Sequence, residues 1–248
     1  MASGYDKPPF KAPHIEDSKK RVRVLFGGKI VVDTYEPKLV WEHPFYPTYF
    51  FSSTPDLPEA LLQKSDQAKP EEGTVIYDLV VGDRVAKEAV TMFTSEEKHK
   101  ELAGLFKIKF ASADAWFEED ERIYVHPKDP YKRIDVLPSS RHVRIEVNGV
   151  ELANTRRPYF LFETGLRRRT YIPIMDTHME LLTPSDTTSA CPYKGWANYY
   201  NVQLPNGEVH KDIVWYYRTP TSESMRITGL LAFYDEKVTV WVDGKKQE

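Results

Sequence analysis

The densest concentration of chemically capable side chains in this sequence is Cys191-Pro192-Tyr193-Lys194-Gly195-Trp196-Ala197-Asn198-Tyr199-Tyr200. It holds a thiol, an amine two residues beyond a proline, and four aromatic rings. Aromatic walls bury ligand area at low entropic cost, and burial disfavours the charged form of a lysine, which makes it a better base or nucleophile. Cys191 could react instead as a thiolate, with Lys194 or nearby arginines lowering its pKa. Glu163 and Asp176 are the acids most suited to partner them. Each follows an apolar run, Tyr159-Phe160-Leu161-Phe162 and Ile172-Pro173-Ile174-Met175, a context that raises a carboxyl pKa. The candidate catalytic set is Lys194, Cys191, Glu163 and Asp176; the candidate ligand-binding set is Tyr171, Tyr193, Trp196, Tyr199, Tyr200, Trp215, Tyr217 and Arg157. Against this stands a plainer account in which Cys191 is a small core hydrophobe, Lys194 snorkels to water, and the Pro and Gly serve the shape of a turn.

Elements that would position these groups are written twice. Val22-Arg23-Val24-Leu25-Phe26-Gly27-Gly28 returns 121 residues later as Val143-Arg144-Ile145-Glu146-Val147-Asn148-Gly149. At the same offset Thr34 matches Thr155, Pro37 matches Pro158 and Glu42 matches Glu163; after small shifts Asp56 meets Asp176 and Leu61-Leu62 meets Leu181-Leu182. A repeat of that length is domain-sized, so two related units in tandem are expected. The duplicated acids favour a structural job for both pairs. The copies diverge where the second carries the Cys191 to Tyr200 run and the first has Lys64 to Gly73, without thiol or aromatic.

Alternation of apolar and polar residues around Gly27-Gly28 and Asn148-Gly149 predicts a β-hairpin opening each unit. Further strands are predicted over 75–81, 85–93, 107–110 and 123–125, and over 197–204, 208–217, 229–234 and 238–242. Period-two alternation puts Tyr199 on one face with Ala197, and Tyr200 on the other with Asn198. Thr94 followed by Glu97 has capping-box spacing and predicts a helix over 95–105, with short helical turns at 58–63 and 178–182. The expected fold is mainly β: two small antiparallel β-rich domains in tandem with one or two short helices. Residues 1–20 read as a flexible arm, 21–126 as the first repeat, 127–141 as a linker and 142–248 as the second repeat.

Composition sets limits on function. The net charge of -3 with pI near 6.2 lacks the basic face of a nucleic-acid binder. Arg156, Arg157, Arg167, Arg168 and Arg169 form a local exception that could meet an anion or could be a solvated hairpin end. No stretch approaches the roughly 18 apolar residues of a membrane span. A single cysteine and an opening without a secretory apolar core favour a cytoplasmic setting. Seven histidines show no ligand spacing and one cysteine excludes a four-cysteine zinc site, so neither metal nor cofactor is expected.

The order Val143-Arg144-Ile145 with Asn148-Gly149, Glu163-Thr164-Gly165, Thr170-Tyr171-Ile172-Pro173 with Asp176, Cys191 to Tyr200, Trp215-Tyr216-Tyr217, Ala232-Phe233-Tyr234 and Trp241-Val242-Asp243-Gly244 resembles the family called domain of unknown function 427. The resemblance is dense over 142–244, and the first copy looks like a diverged member lacking the Cys-Pro-Tyr-Lys-Gly run. It implies a compact, tent-like β fold and no settled reaction. A nucleotidyltransferase label also attaches to the family, but this sequence holds no glycine-rich phosphate loop and no paired acidic metal motif. The leading expectation is a small-molecule binder or enzyme with an aromatic pocket in the second unit, acting by proton transfer or nucleophilic addition at a carbonyl compound. The competing expectation is a noncatalytic interaction module, with a homodimer among its forms.

Overall fold

The computed structural model describes residues 11–52, 57–66, 71–96 and 98–247. They form two compact units that meet in sequence between Asp129 and Pro130. The N-terminal unit contains β1 (His14–Asp17), β2 (Val22–Phe26), β3 (Lys29–Thr34), β4 (Lys38–Trp41), β5 (Thr48–Ser52), β6 (Leu62–Lys64), β7 (Thr74–Val81), β8 (Arg84–Phe93), β9 (Leu105–Ile108), β10 (Ala115–Glu118) and β11 (Glu121–Ile123). The C-terminal unit contains β12 (Ile134–Pro138), β13 (Val143–Val147), β14 (Val150–Thr155), β15 (Tyr159–Glu163), β16 (Arg169–Pro173), β17 (Leu182–Cys191), β18 (Gly195–Gln203), β19 (Val209–Tyr217), β20 (Leu230–Phe233), β21 (Thr239–Val242) and β22 (Lys245–Lys246).

The repeat extends to the topology. A seven-stranded sheet β1-β4-β5-β9-β8-β7-β6 and a four-stranded sheet β11-β10-β2-β3 in the first unit become β12-β15-β16-β20-β19-β18-β17 and β22-β21-β13-β14 in the second. Adding eleven to each strand number converts one order into the other, and all pairings are antiparallel. Alternation builds the cores. On β2 and β13 every second residue is buried. Val143 and Ile145 thereby pack against Ile172, Val202, Val214, Leu231 and Phe233 from the larger sheet. Val22 and Val24 do the same with Phe51, Leu79, Val90, Phe106 and Ile108. The opening turns match too: Gly27-Gly28 and Asn148-Gly149 all have positive φ, as a two-residue primed hairpin turn requires. Asparagine is excluded at the first of them, because a Cβ on Gly27 would stand 2.9 Å from Val81 Cβ.

A second shared device is a bulge in the long hairpin of each unit. Glu88 and Asp212, with φ of 50° and 54°, occupy it. The Glu88 N–H donates to Asp78 Oδ1 at 2.8 Å, and the Asp212 N–H donates to Asn201 Oδ1 at 2.9 Å. One copy holds the strained residue with a carboxylate, the other with an amide.

Three expectations are corrected. His14–Asp17, read as part of a flexible arm, is an edge strand on β4, and Ile134–Pro138, read as linker, is its counterpart on β15. The helix over 95–105 is replaced by a single 3-10 turn at Lys100–Leu102. Thr94 Oγ1 bonds the Gly73 carbonyl and the Glu96 N–H, and the Gly104 N–H closes the loop on the Phe93 carbonyl. Leu105 must then enter the sheet centre, and a capping spacing worth about 1 kcal/mol does not outweigh that burial. Glu97 and Asp56 lie outside the described residues. Short turns at Glu59–Leu61 and Met179–Leu181 form as 3-10 segments. No helix among the described residues is long and apolar enough to cross a membrane.

The bulge gives a pH test with an internal control. Its backbone bond from Glu88 and the Lys87 ammonium hold Asp78 below its ordinary value of 3.8. A carboxylate with a depressed folded pKa stabilises above its unfolded pKa and loses that contribution as pH falls through the folded one. Acidification below about pH 4 is therefore expected to weaken the N-terminal unit through Asp78. Asp78→Asn, which copies the C-terminal arrangement, should flatten that part of the stability curve in acid-titrated urea melts.

Candidate functional site

The outer face of the C-terminal seven-stranded sheet, away from the four-stranded sheet, carries a second apolar cluster: Leu161, Tyr171, Ala197, Tyr199, Trp215, Tyr217 and Ala232, with Ile227 packed on it. A cavity of about 420 Å³ opens there. Its walls are Tyr171, Tyr199, Trp215, Tyr217 and Tyr234; its polar groups are Lys194, Glu163, Arg167, Arg169 and Glu236, with Leu166 between them.

The Cys191 to Gly195 turn delivers Lys194. Its N–H donates to the Cys191 carbonyl at 3.3 Å, and its carbonyl accepts from Thr221 N–H at 3.2 Å. The Tyr193 carbonyl is held by the hydroxyls of Thr221 and Ser224. Gly195 is required: its φ is +95°, and a Cβ there would lie 3.1 Å from the Thr219 carbonyl oxygen. Lys194 Nζ donates to Glu163 Oε2 at 2.5 Å, both side chains nearly buried at 11% and 5% exposure. Cys191 Sγ lies 3.8 Å from the same ammonium, and Lys132 Nζ approaches Glu163 Oε1 at 4.0 Å while sitting over the Tyr193 ring. Glu163 is presented by Thr164, whose side-chain oxygen and N–H bond the backbone of Arg133.

The pair spans the sheet. β15 lies next to one edge, while the β17–β18 turn lies at the other. Their side chains nevertheless meet, and Arg226 of the 3-10 segment Ser222–Ile227 ties that segment to β12 through the Val136 carbonyl at 3.2 Å.

On the other flank Arg169 bonds Glu236 through both terminal nitrogens at 3.0 Å, and Arg167 reaches the same carboxylate at 3.2 Å. Arg169 chiefly holds Glu236 down at about 2. Burial pushes the phenols of Tyr171 and Tyr217 up, and Tyr234 up to about 12. Tyr171 Oη is buried with no hydrogen-bond partner. The Trp215 ring stands edge-on to it with centroids 6.4 Å apart.

The structure thus brings together Lys194, Glu163, Tyr171, Tyr199, Trp215 and Tyr217, with Cys191 and Tyr193 flanking the pair. It separates the rest. Asp176 accepts from Thr155 Oγ1 at 2.6 Å and from Arg157 at 2.9 Å, outside the cavity lining. Those donors lower its pKa, the reverse of the expected rise, and Arg157 is spent on it. Tyr200 points to the inner core and stacks on Tyr216 at 4.9 Å, as strand alternation requires. Trp196 is 48% exposed and does not line the cavity. Sequence reasoning missed Lys132, Tyr234 and Glu236. Alternation could have found Arg169, which shares a β16 face with Tyr171, and Tyr234, which follows Ala232 at the same spacing; Lys132 in the supposed linker gave no signal.

Strand registers show what the first unit does with the same face. Tyr159 pairs with Tyr171, Tyr171 with Ala232, Ala232 with Trp215; the counterparts are Lys38 with Phe50, Phe50 with Lys107, Lys107 with Thr91. Where Ala232 leaves room, Lys107 rises and donates to Glu42 Oε1 at 2.5 Å, its ammonium over the rings of Phe50 and Phe93. The acid is kept, but its lysine comes from the floor and occupies the space that is open in the second unit.

Removing one member of a buried ion pair leaves an uncompensated charge. Lys194→Met is expected to destabilise the C-terminal unit by about 3 kcal/mol. Lys194→Met/Glu163→Gln should recover most of that loss in urea unfolding.

The family model described as Domain of unknown function (DUF427), NTP_transf_9, matches residues 14–119 and again 135–244. The first stretch lies within the N-terminal unit and begins at β1, and the second lies within the C-terminal unit and begins in β12. No curated protein matches the chain. The chain belongs to the DUF427 family and carries its domain twice.

Proposed function

We propose that the C-terminal unit binds a small organic molecule in the outer-face cavity, and that the N-terminal unit is its scaffold. The observation that carries this reading is the contrast between copies: one sheet face, one acid, and an alanine in place of the lysine that plugs the sibling. About 420 Å³ falls in the range of small-molecule sites, and a mostly aromatic wall with a few convergent polar groups suits that use. Lys194 is oriented by Glu163 and has donors to spare for a ligand oxygen, so a carbonyl or carboxylate is the natural group for it to meet.

The test uses native mass spectrometry of freshly purified protein to detect a retained molecule, followed by titration of that molecule or of a metabolite panel. Binding to the wild type, lost in the folded Lys194→Met/Glu163→Gln variant, is the expected result. A ligand should also slow alkylation of Cys191, which adjoins the ammonium. Equal affinity in the double variant would remove the pair from the site, and no binding at all would favour an interaction surface around the exposed Trp196.

A further inference from the structure

Resting on that reading of the cavity, two contrasts with the N-terminal unit say how it would hold its guest. The first is a hydroxyl. Trp215 and Thr91 stand at matching registers, and Tyr217 follows one as Phe93 follows the other, so a phenol replaces the phenyl ring of the first unit. Tyr217 is 5% exposed and lines the cavity, and its hydroxyl makes no hydrogen bond among the described residues. A hydroxyl so little exposed is costly unless its donor is used. Burial, with Tyr171, Cys191, Tyr199 and Glu163 around it, pushes this phenol up, so it stays protonated and can donate.

The second contrast is in the cations on the acid. Among the described residues Glu42 meets one ammonium, that of Lys107, whereas Glu163 meets Lys194 at Oε2 and Lys132 at Oε1. Loss of a proton from Lys107 would strand Glu42, but the same loss from Lys194 leaves Glu163 paired with Lys132, whose side chain is 11% exposed. A lysine held beside a second cation, in a mostly apolar wall, is the kind that serves as an imine-forming nucleophile. Lys194 lines the cavity with Tyr217, so an amine and a phenol that can polarise a carbonyl oxygen face one space. Its aromatic walls favour a flat guest. We propose that Lys194 captures an aromatic aldehyde as an imine, with Tyr217 donating to the carbonyl oxygen and the rings of Tyr199, Trp215 and Tyr234 receiving the guest. The step balances without an oxidant or reductant. The ammonium gives one proton to water in the cavity, the nitrogen lone pair adds to the carbonyl carbon, and a second nitrogen proton passes through Tyr217 to the oxygen. That hydroxyl takes a proton back from water, the C–O bond breaks, and a water molecule leaves. The protonated imine carries the charge that Lys194 had, so its pair with Glu163 is kept.

The test incubates the full chain with equimolar benzaldehyde, reduces any imine with cyanoborohydride and maps the adduct by peptide mass spectrometry. The adduct is expected on Lys194, in clear excess over every other lysine, and should be lost in Lys194→Arg, which keeps the positive charge beside Glu163. Tyr217→Phe should slow trapping about 100-fold and still fold, because the hydroxyl it removes has no partner. Relative to their rates with free lysine, benzaldehyde should be trapped faster than cyclohexanecarbaldehyde. Adducts spread over surface lysines, an adduct on Lys132 in place of Lys194, an unchanged rate in Tyr217→Phe, or no preference for the aromatic ring would each overturn the proposal. Ligand-observed NMR with benzyl alcohol and benzamide, rings that form no imine, separates this failure from that of the cavity itself. Rings that bind the wild type but not Lys194→Met/Glu163→Gln, with no adduct at Lys194, would keep the cavity reading and refute the imine; no binding by ring or aldehyde would remove both.

Discussion

The ion pair between Lys194 and Glu163 is the constraint on which the rest of the C-terminal site depends. Two charges so little exposed have given up most of their hydration, and only a short, well-directed contact offsets that cost. The contact also has a geometric consequence. Its partners come from opposite sides of a seven-stranded sheet, so the contact joins parts of the chain that strand pairing keeps apart, beside the aromatic outer face. The Cys-Pro-Tyr-Lys-Gly turn and its bonds to Thr221 and Ser224 place one ammonium.

The N-terminal unit shows that the architecture does not need the cavity. It has the same strand order, the same hairpin turn, the same bulge and the same acid, yet its pair joins Glu42 to a lysine two strands away on the sheet floor. That short-range pair satisfies the carboxylate within neighbouring strands, and β6 is three residues long against the ten of β17. Fold and site are thus separable: the inner faces of both units obey one packing rule, while the outer faces diverge through a few positions such as Lys107 and Ala232.

The inner core was legible because its signal is local. Alternation in Val22-Arg23-Val24 and Val143-Arg144-Ile145 places every second side chain on one face, and paired positive-φ positions at Gly27-Gly28 and Asn148-Gly149 fix the turn. The same period separated Tyr199 from Tyr200 correctly. Local signals failed where a distant strand supplied the reason. Thr94 bonds across to Gly73 instead of capping a helix, and the edge strands β1 and β12, of four and five residues, are too short to announce themselves without the neighbours they pair with.

For the site, the sequence by itself determined the duplication, the strand periods and the residue types gathered in the second copy. Only the tertiary structure decided which of those residues meet. Asp176 and Glu163 look alike along the chain, each following an apolar run, but one is consumed by Arg157 and Thr155 while the other receives Lys194 from the far side of the sheet. Partner choice for a charged group depends on distances in space between strands far apart in order, and no pattern confined to a few neighbouring residues carries that information.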